Sequence, residues 1–258
     1  MDFSELSRQE SIAEPIILAV DTSSKTTSLA VARGGQLLTS IARPADEKRS
    51  ERLWSEVRSM LAEVGMTVGD VNVFAVCIGP GGFTGLRVGM AAVKGLTAAT
   101  EKPVVGVTSL EAAAFSARPA SSVCALVNAY KAEVYSQLFS TDREGSPVAQ
   151  NDPMVSTFEK ALERVFKIDD LTLAGDGAEA ATEAITGTAA ARGEGKWTIK
   201  QSDHSLAEDV ARLGFVRYSC GEAGSAAALK ACYVRQAEAG IKLSLGLLGS
   251  KIKRSMKS

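Results

Sequence analysis

Cys77-Ile-Gly-Pro-Gly-Gly-Phe-Thr-Gly-Leu-Arg-Val-Gly89 joins an apolar, β-rich run, 71–78, to a long apolar stretch in helical spacing that reaches Ala99. A strand that turns sharply through Gly and Pro into a helix N-terminus can cradle an anion on free backbone N–H groups. It can equally be a tight βα turn in which glycine supplies positive φ. The sequence leaves both open. The usual phosphate loop places Lys-Ser/Thr after its last glycine; here Gly85 is followed by Leu86 and Arg87, which excludes that motif. Thr84 is the expected helix cap, since its hydroxyl can accept from free N–H groups.

Only Arg87 and Lys94 are charged between Leu86 and Leu96. A helix apolar nearly all round is buried on more than one side. Its own sheet covers one side, and a second helix, from this chain or another, must cover the other. Gly85 and Gly89, with Ala92 close by, are expected to form a low ridge for that approach. Glycines inside a helix cost about 1 kcal/mol each relative to alanine, so close packing must offset them.

The remaining composition is that of an ordinary globular chain. In 258 residues the net charge is −1, 45% are hydrophobic and 5% aromatic. That balance gives no whole-chain electrostatic case for nucleic acid, and no run has the length of a membrane span. Residues 1–14 carry no apolar core and are expected to be a loose tail rather than a signal peptide. Cys77, Cys124, Cys220 and Cys232 are widely spaced with no Cys-x-x-Cys pair, so buried free thiols are expected. His204 is the sole histidine. A histidine metal site or a Ser-His-Asp engine would rest on it alone, and it is expected to be a loop residue without catalytic work.

In chain order, strands are expected at 16–20, 26–32 and 36–42, with the polar turn Asp21-Thr-Ser-Ser-Lys25 between the first two. Apolar residues at 53, 57, 60, 61 and 64 predict an amphipathic helix over 50–64, closed by Gly65. Beyond the central strand and helix, a strand is expected at 103–108 and a helix at 109–115 with Ser109 as cap. The opening pattern then returns: a strand at 123–127, a polar tip Asn128-Ala-Tyr-Lys131, a strand at 133–139, and a third around 147–155. Next come a helix at 157–166, a strand at 171–174, the turn Gly175-Asp-Gly177, a helix at 178–186, a loop at 189–196, and helices at 205–220 and 225–229. Strand, polar tip, strand, then helix and glycine turn thus occurs twice, with Asn128 standing where Asp21 stood. Such a repeat marks a duplicated architecture: two halves facing one cleft, with one polar tip from each.

Ile17-Leu-Ala-Val-Asp-Thr-Ser23, Gly79-Pro-Gly-Gly-Phe-Thr-Gly-Leu-Arg87, Lys94-Gly-Leu96, Pro103-Val-Val-Gly-Val-Thr-Ser-Leu-Glu-Ala112 and Glu133-Val-Tyr135 together resemble the bacterial TsaB (YeaZ) family. The likeness covers roughly residues 16–135 and extends loosely to Tyr233-Val-Arg235. It implies an α/β, actin-like ATPase (ribonuclease H-like) fold in two duplicated lobes. Residues 15–116 would form the first lobe and 117–245 the second, with a basic tail at 246–258. It also implies a part in forming N6-threonylcarbamoyladenosine (t6A) at position 37 of tRNAs reading ANN codons. There the chain would act as a cytoplasmic, non-catalytic subunit. Its partners would be a TsaD-type transferase, a TsaE-type ATPase and tRNA, with a homodimer as the alternative pairing. Pairing in the family runs through two first-lobe helices, which here carry Leu53, Trp54, Val57, Leu61, Phe83, Gly85, Leu86, Gly89, Met90 and Val93.

Several residues depart from what an enzyme of that fold needs. The transferase holds its metal with His-x-x-x-His, which a chain with one histidine cannot supply. Actin-like ATPases carry Asp-x-Gly at the first tip, whereas this chain has Asp21, Thr22 and Ser23, and the second tip has Asn128, which brings no charge to Mg²⁺. Gly175, Asp176 and Gly177 resemble the adenosine-side turn. These seven residues are expected to be a vestigial nucleotide cleft, with no metal or cofactor assigned to it and ATP or ADP as a candidate ligand at the complex interface. Arg49-Ser50 and Asn128-Ala-Tyr130 stand where many members have His-Ser and Asp-Ala-Arg. The basic run 251–257 is expected to be solvated, with tRNA contact as its functional alternative. The competing reading is an ATP-dependent kinase or carbamoyl-transferring enzyme of the same fold. A peptidase is a weaker third, because no nucleophile–base pair is evident.

Overall fold

A computed structural model describes residues 14–46, 49–130, 132–192 and 196–235. The expected tails at 1–14, apart from Glu14, and at 246–258 lie outside the described residues, as does Lys131. Strands β1 (Ile16–Asp21), β2 (Thr26–Arg33) and β3 (Gln36–Pro44) form the expected meander. Strands β4 (Val73–Cys77) and β5 (Val104–Val107) lie parallel to β1, giving the order β3-β2-β1-β4-β5. Helix α1 (Arg49–Glu63) joins β3 to β4, α2 (Phe83–Thr100) joins β4 to β5, and α3 (Ser109–Ser116) follows β5.

The second half repeats this plan. Strands β6 (Ser122–Tyr130) and β7 (Glu133–Thr141) are antiparallel, and β10 (Asp170–Ala174) and β11 (Lys196–Lys200) continue parallel to β6. The third strand of this meander is split. β8 (Pro147–Ala149) and β9 (Met154–Thr157) each pair with β7, where one strand at 147–155 was expected. Helices α4 (Phe158–Val165), α5 (Asp176–Ala180), α6 (Thr182–Arg192) and α7 (Leu206–Ser219) complete the described α-helices.

Both faces of β1 are covered, so with period-two alternation every residue from Ile16 to Val20 is apolar and the whole strand is buried. Ile16, Leu18 and Val20 face α1 and α2 in one core layer; Ile17 and Ala19 face α3 and α7 in another. The second face is paved with Ala19, Ala30, Ala32 and Ala75, so α7 comes in close. A Cβ on Gly214 would stand 2.7 Å from that of Ala75. Helix α3 sits between the two sheets, giving Ala112 and Phe115 to the first core and Leu110, Ala113 and Ala114 to the second.

Packing therefore does not divide at residue 116. α7 belongs by sequence to the second half yet covers the first sheet. Beyond it Gly224 pairs with Val104, Leu229 is buried in the first core, and the Cys232 N–H donates to the Ile78 carbonyl at 2.8 Å. The chain then crosses back, where Val234 packs on the second core and Arg235 pairs with Glu133.

Other local expectations also change. α2 is capped at Gly82 without a side chain, not by Thr84. Thr108 caps α3 through a reciprocal box with Glu111, which frees Ser109 to donate to the Pro80 carbonyl at 2.5 Å. The loop expected at 189–196 holds the end of α6 and the start of β11. The stretch 225–229 is a turn with only i→i+3 bonds, not a helix, because the strand-like pairing of Gly224 fixes its start. Cys77 and Cys124 are buried as expected, but Cys220 is exposed and Cys232 half-buried.

Candidate partner-docking face and interlobe cleft

The turn between β4 and α2 is filled from within. The Ser23 carbonyl accepts from the Gly82 N–H at 2.6 Å, and a Cβ on Gly81 would stand 2.4 Å from the same oxygen. The Gly82 N–H is thus taken by a protein carbonyl, and the close approach of that carbonyl requires glycine at 81, which the tight-turn reading accounts for. Thr22 Oγ1 donates to the Gly85 carbonyl at 2.7 Å, and the Ser23 N–H donates to Asp21 Oδ1 at 2.9 Å. Cys77 Sγ lies 3.4 Å from Ser23 Oγ. Burial raises the pKa of Asp21 and pushes that of Cys77 well up, so the thiol is no nucleophile at neutral pH. The first tip is spent on fastening α2 to β1.

At the second tip, Asp176 Oδ1 accepts from the Asn128 N–H at 2.9 Å, and Asn128 Oδ1 accepts from the Tyr130 N–H at 2.8 Å. Gly175 has φ +102°, and a Cβ there would meet the Leu126 carbonyl oxygen at 2.4 Å; one on Gly177 would meet it at 2.9 Å. These glycines let the β10–α5 turn lie against the β6 backbone, which accounts for both without a phosphate. Asp176 is open to the cleft, yet the surrounding walls displace water and raise its pKa.

The two tips face one cavity of about 530 Å³. Its far wall is the crossing from β11 to α7. There the Ser202 N–H donates to Glu179 and Ser40 Oγ donates to Glu208, both with Oε1 as acceptor. His204 lies between Asp203 and Asp209, each ring nitrogen 2.8 Å from a carboxylate oxygen. The Asp209 hydrogen bond is the largest cause raising the His204 pKa to about 9, so the ring is cationic at neutral pH. Asp203 is lowered by the same ring, and burial raises Asp209. A protonated imidazole with both nitrogens bonded to carboxylates cannot act as a general base. Among the described residues no nucleophile lies against it, and no three His, Cys, Asp or Glu side chains converge on a metal position.

The faces of α1 and α2 sort the expected interface residues. Leu53, Val57, Leu61, Leu86, Met90 and Val93 are buried in the chain's own core. Gly89 points inward at Thr22, where a Cβ would lie 2.3 Å from Oγ1, and buried Gly85 accepts from the same hydroxyl through its carbonyl. The glycine ridge is therefore an intrachain contact, with glycine required by the close approach of the β1 tip. Of the ten expected residues, only Trp54 (43% exposed) and Phe83 face outward to any extent. They belong to a groove of about 490 Å³ lined also by Thr84, Arg87, Val88 and Ala91. Tyr233, 49% exposed, stacks obliquely on Phe83 with centroids 5.1 Å apart, and the Arg87 guanidinium lies 3.8 Å over the same ring. The outward stripe of α2 is Thr84, Arg87, Ala91, Gly95 and Ala98. Its helical spacing was readable in the sequence. The contribution of Tyr233 was not, because it depends on the crossing segment.

Two sheets, each an antiparallel meander extended by parallel strands, facing a common cleft, define the actin-like ATPase fold class. A putative N-acetylmannosamine kinase from Listeria monocytogenes shares this fold, with a TM-score of 0.51 at 12% identity over 79% of this chain and 99% of the other. A Pseudomonas aeruginosa protein described as similar to the peptidase YeaZ matches with a TM-score of 0.70 at 27% identity, covering 86% of this chain and all of that one. Residues 41–211 match the family described as TsaD: tRNA N6-adenosine threonylcarbamoyltransferase. The tRNA threonylcarbamoyladenosine biosynthesis protein TsaB of Escherichia coli K12 is 31% identical over 132 residues, 50% of this chain and 57% of that protein. The chain thus spans little more than half the length of that curated relative. It belongs to the TsaD family, as a TsaB/YeaZ-type member.

Proposed function

We propose that this chain is a non-catalytic, partner-binding subunit in the formation of t6A at position 37 of tRNAs reading ANN codons. It pairs with a TsaD-type transferase and works with a TsaE-type ATPase. The observation that carries the proposal is the outward stripe of α2, uncharged except at Arg87 and flanked by exposed Trp54 and Tyr233 and partly exposed Phe83. Small residues at 91, 95 and 98 let another helix backbone come close, and exposed aromatic residues beside them are the usual anchors of such contacts once buried by a partner. A partner of the same fold carries an equivalent helix pair, so the two chains meet face to face about a pseudo-twofold axis. Family membership supports a paralogous transferase as that partner. The spent tip Asp21-Thr22-Ser23 and the doubly held His204 favour this reading over a kinase or peptidase.

Sedimentation of the chain mixed with a purified TsaD-type transferase tests the pairing. Ala91→Arg and Trp54→Asp, both on exposed positions, are expected to weaken the pair at least tenfold while leaving the fold intact. Undiminished pairing by both folded variants would remove this face from the interface.

A further inference from the structure

We propose that the second half of the chain controls the docking face through residues 232–235, where Arg235, clamped to the β6–β7 hairpin, holds Tyr233 against Phe83. This rests on the proposed pairing through α1 and α2, and adds a means of regulating it. Four consecutive residues reach both halves. The Cys232 N–H donates to the Ile78 carbonyl at 2.8 Å, and a Cβ on Gly79 would stand 3.1 Å from the Cys232 carbonyl oxygen. The segment thus lies against the turn that leads into α2. Tyr233 then stacks on Phe83, the first residue of α2. Val234 packs on the second core. Arg235 pairs with Glu133 at the start of β7, and its Nη1 donates to the Ala129 carbonyl at 3.4 Å. The rigid fork of a guanidinium sets direction as well as distance, so Arg235 is a positioning residue for Tyr233.

A second path joins the same parts. The hairpin tip reaches back to the first half: a Cβ on Gly82, the residue before α2, would stand 3.7 Å from the Tyr130 hydroxyl oxygen. The Lys25 ammonium lies 5.8 Å from the centre of the Tyr130 ring. Hairpin, crossing segment and α2 N-terminus therefore form a closed ring of contacts. The hairpin cannot shift against the first sheet without moving Phe83 or breaking that ring. Phe83 lines the docking groove beside Trp54 and Arg87, so the ring ends where a partner would sit. Coupling of this kind is reciprocal: docking steadies the hairpin, and freeing the hairpin weakens docking by the same factor.

The test is the affinity of the full chain for a purified TsaD-type transferase, measured by sedimentation for wild type, Glu133→Gln, Tyr233→Ala and the double variant. Glu133→Gln removes the partner of Arg235 without touching the groove, and is expected to weaken docking about fivefold, the low end of ordinary coupling. Tyr233→Ala should weaken it at least as much. Adding Glu133→Gln to Tyr233→Ala should cost nothing further, whereas a general loss of stability would give additive losses. In the free chain, hydrogen exchange at the Cys232 amide should quicken several-fold in Glu133→Gln. Should Glu133→Gln fail to fold, Arg235→Gln removes the same pair from its other side and takes its place. Wild-type affinity in the folded variant, additive losses in the double variant, or unchanged Cys232 exchange would each overturn the proposal. A wild-type chain that does not bind the transferase would instead refute the pairing itself, so the two failures are told apart before any variant is made.

Discussion

Alanine at position 89 is expected to destabilise the chain, although alanine is the better helix former by about 1 kcal/mol. The new Cβ would lie 2.3 Å from Thr22 Oγ1, while the rest of the threonine stays at ordinary distance, Cβ at 3.5 Å and Cγ2 at 3.6 Å. The hydroxyl cannot simply turn away, because it donates to the Gly85 carbonyl at 2.7 Å. Forcing it aside costs about 1–3 kcal/mol of overpacking and about 0.5–1.5 kcal/mol for the lost bond. Against the helix gain, the net loss for Gly89→Ala is about 1–3 kcal/mol. With Thr22→Ala in place the clash is gone, and the same Gly89→Ala change becomes neutral or stabilising by up to ~1 kcal/mol. The two substitutions therefore couple by about 2 kcal/mol or more, well above the scatter for independent sites. Urea unfolding of the wild type, both single variants and the double variant measures this. A higher urea midpoint for Gly89→Ala alone, or strictly additive effects, would refute the inward-facing assignment and restore an open glycine ridge.

Further outcomes follow from the same geometry. His204, the sole histidine, should titrate near pH 9 by NMR. Because its folded pKa lies above the unfolded value of about 6.5, its contribution is complete below that pH and is lost as pH rises through about 9, on the order of 1–3 kcal/mol. His204→Gln should abolish that slope, and an unchanged slope would place the titration elsewhere. A thiol-reactive dye should label Cys220 first and Cys232 more slowly. Cys124, with its pKa pushed up to about 12 by burial, and Cys77 should react only on unfolding; rapid labelling of all four would contradict the packing.

The duplicated meander was legible because each hairpin writes its own period-two pattern, interrupted by a polar tip, and the two copies share one order of elements. What escaped reading depends on contacts distant in sequence. β11 lies in Lys196-Trp-Thr-Ile-Lys200, whose alternation is clear in retrospect but too short to outweigh the glycines before it. The return of α7 to the first sheet is encoded in alanines on β1, β2 and β4 that carry no directional signal. Gly89 does mark a close approach, but a glycine does not say what approaches, and the sequence suggested a second helix. Here it is Thr22, sixty-seven positions before Gly89 in the chain. At the cleft, Asp21 and Asp176 were visible as tips, whereas the Asp203–His204–Asp209 arrangement needed the capped start of α7 to bring Asp209 under the ring.

Reconstitution of tRNA threonylcarbamoylation from purified components, with this chain omitted, intact, as Asp21→Asn or as Ala91→Arg, tests the central claim most directly. The account predicts that product requires the chain, that folded Asp21→Asn supports it, and that folded Ala91→Arg does not. Product formed without the chain, or lost with a folded Asp21→Asn variant while Ala91→Arg remains active, would contradict it.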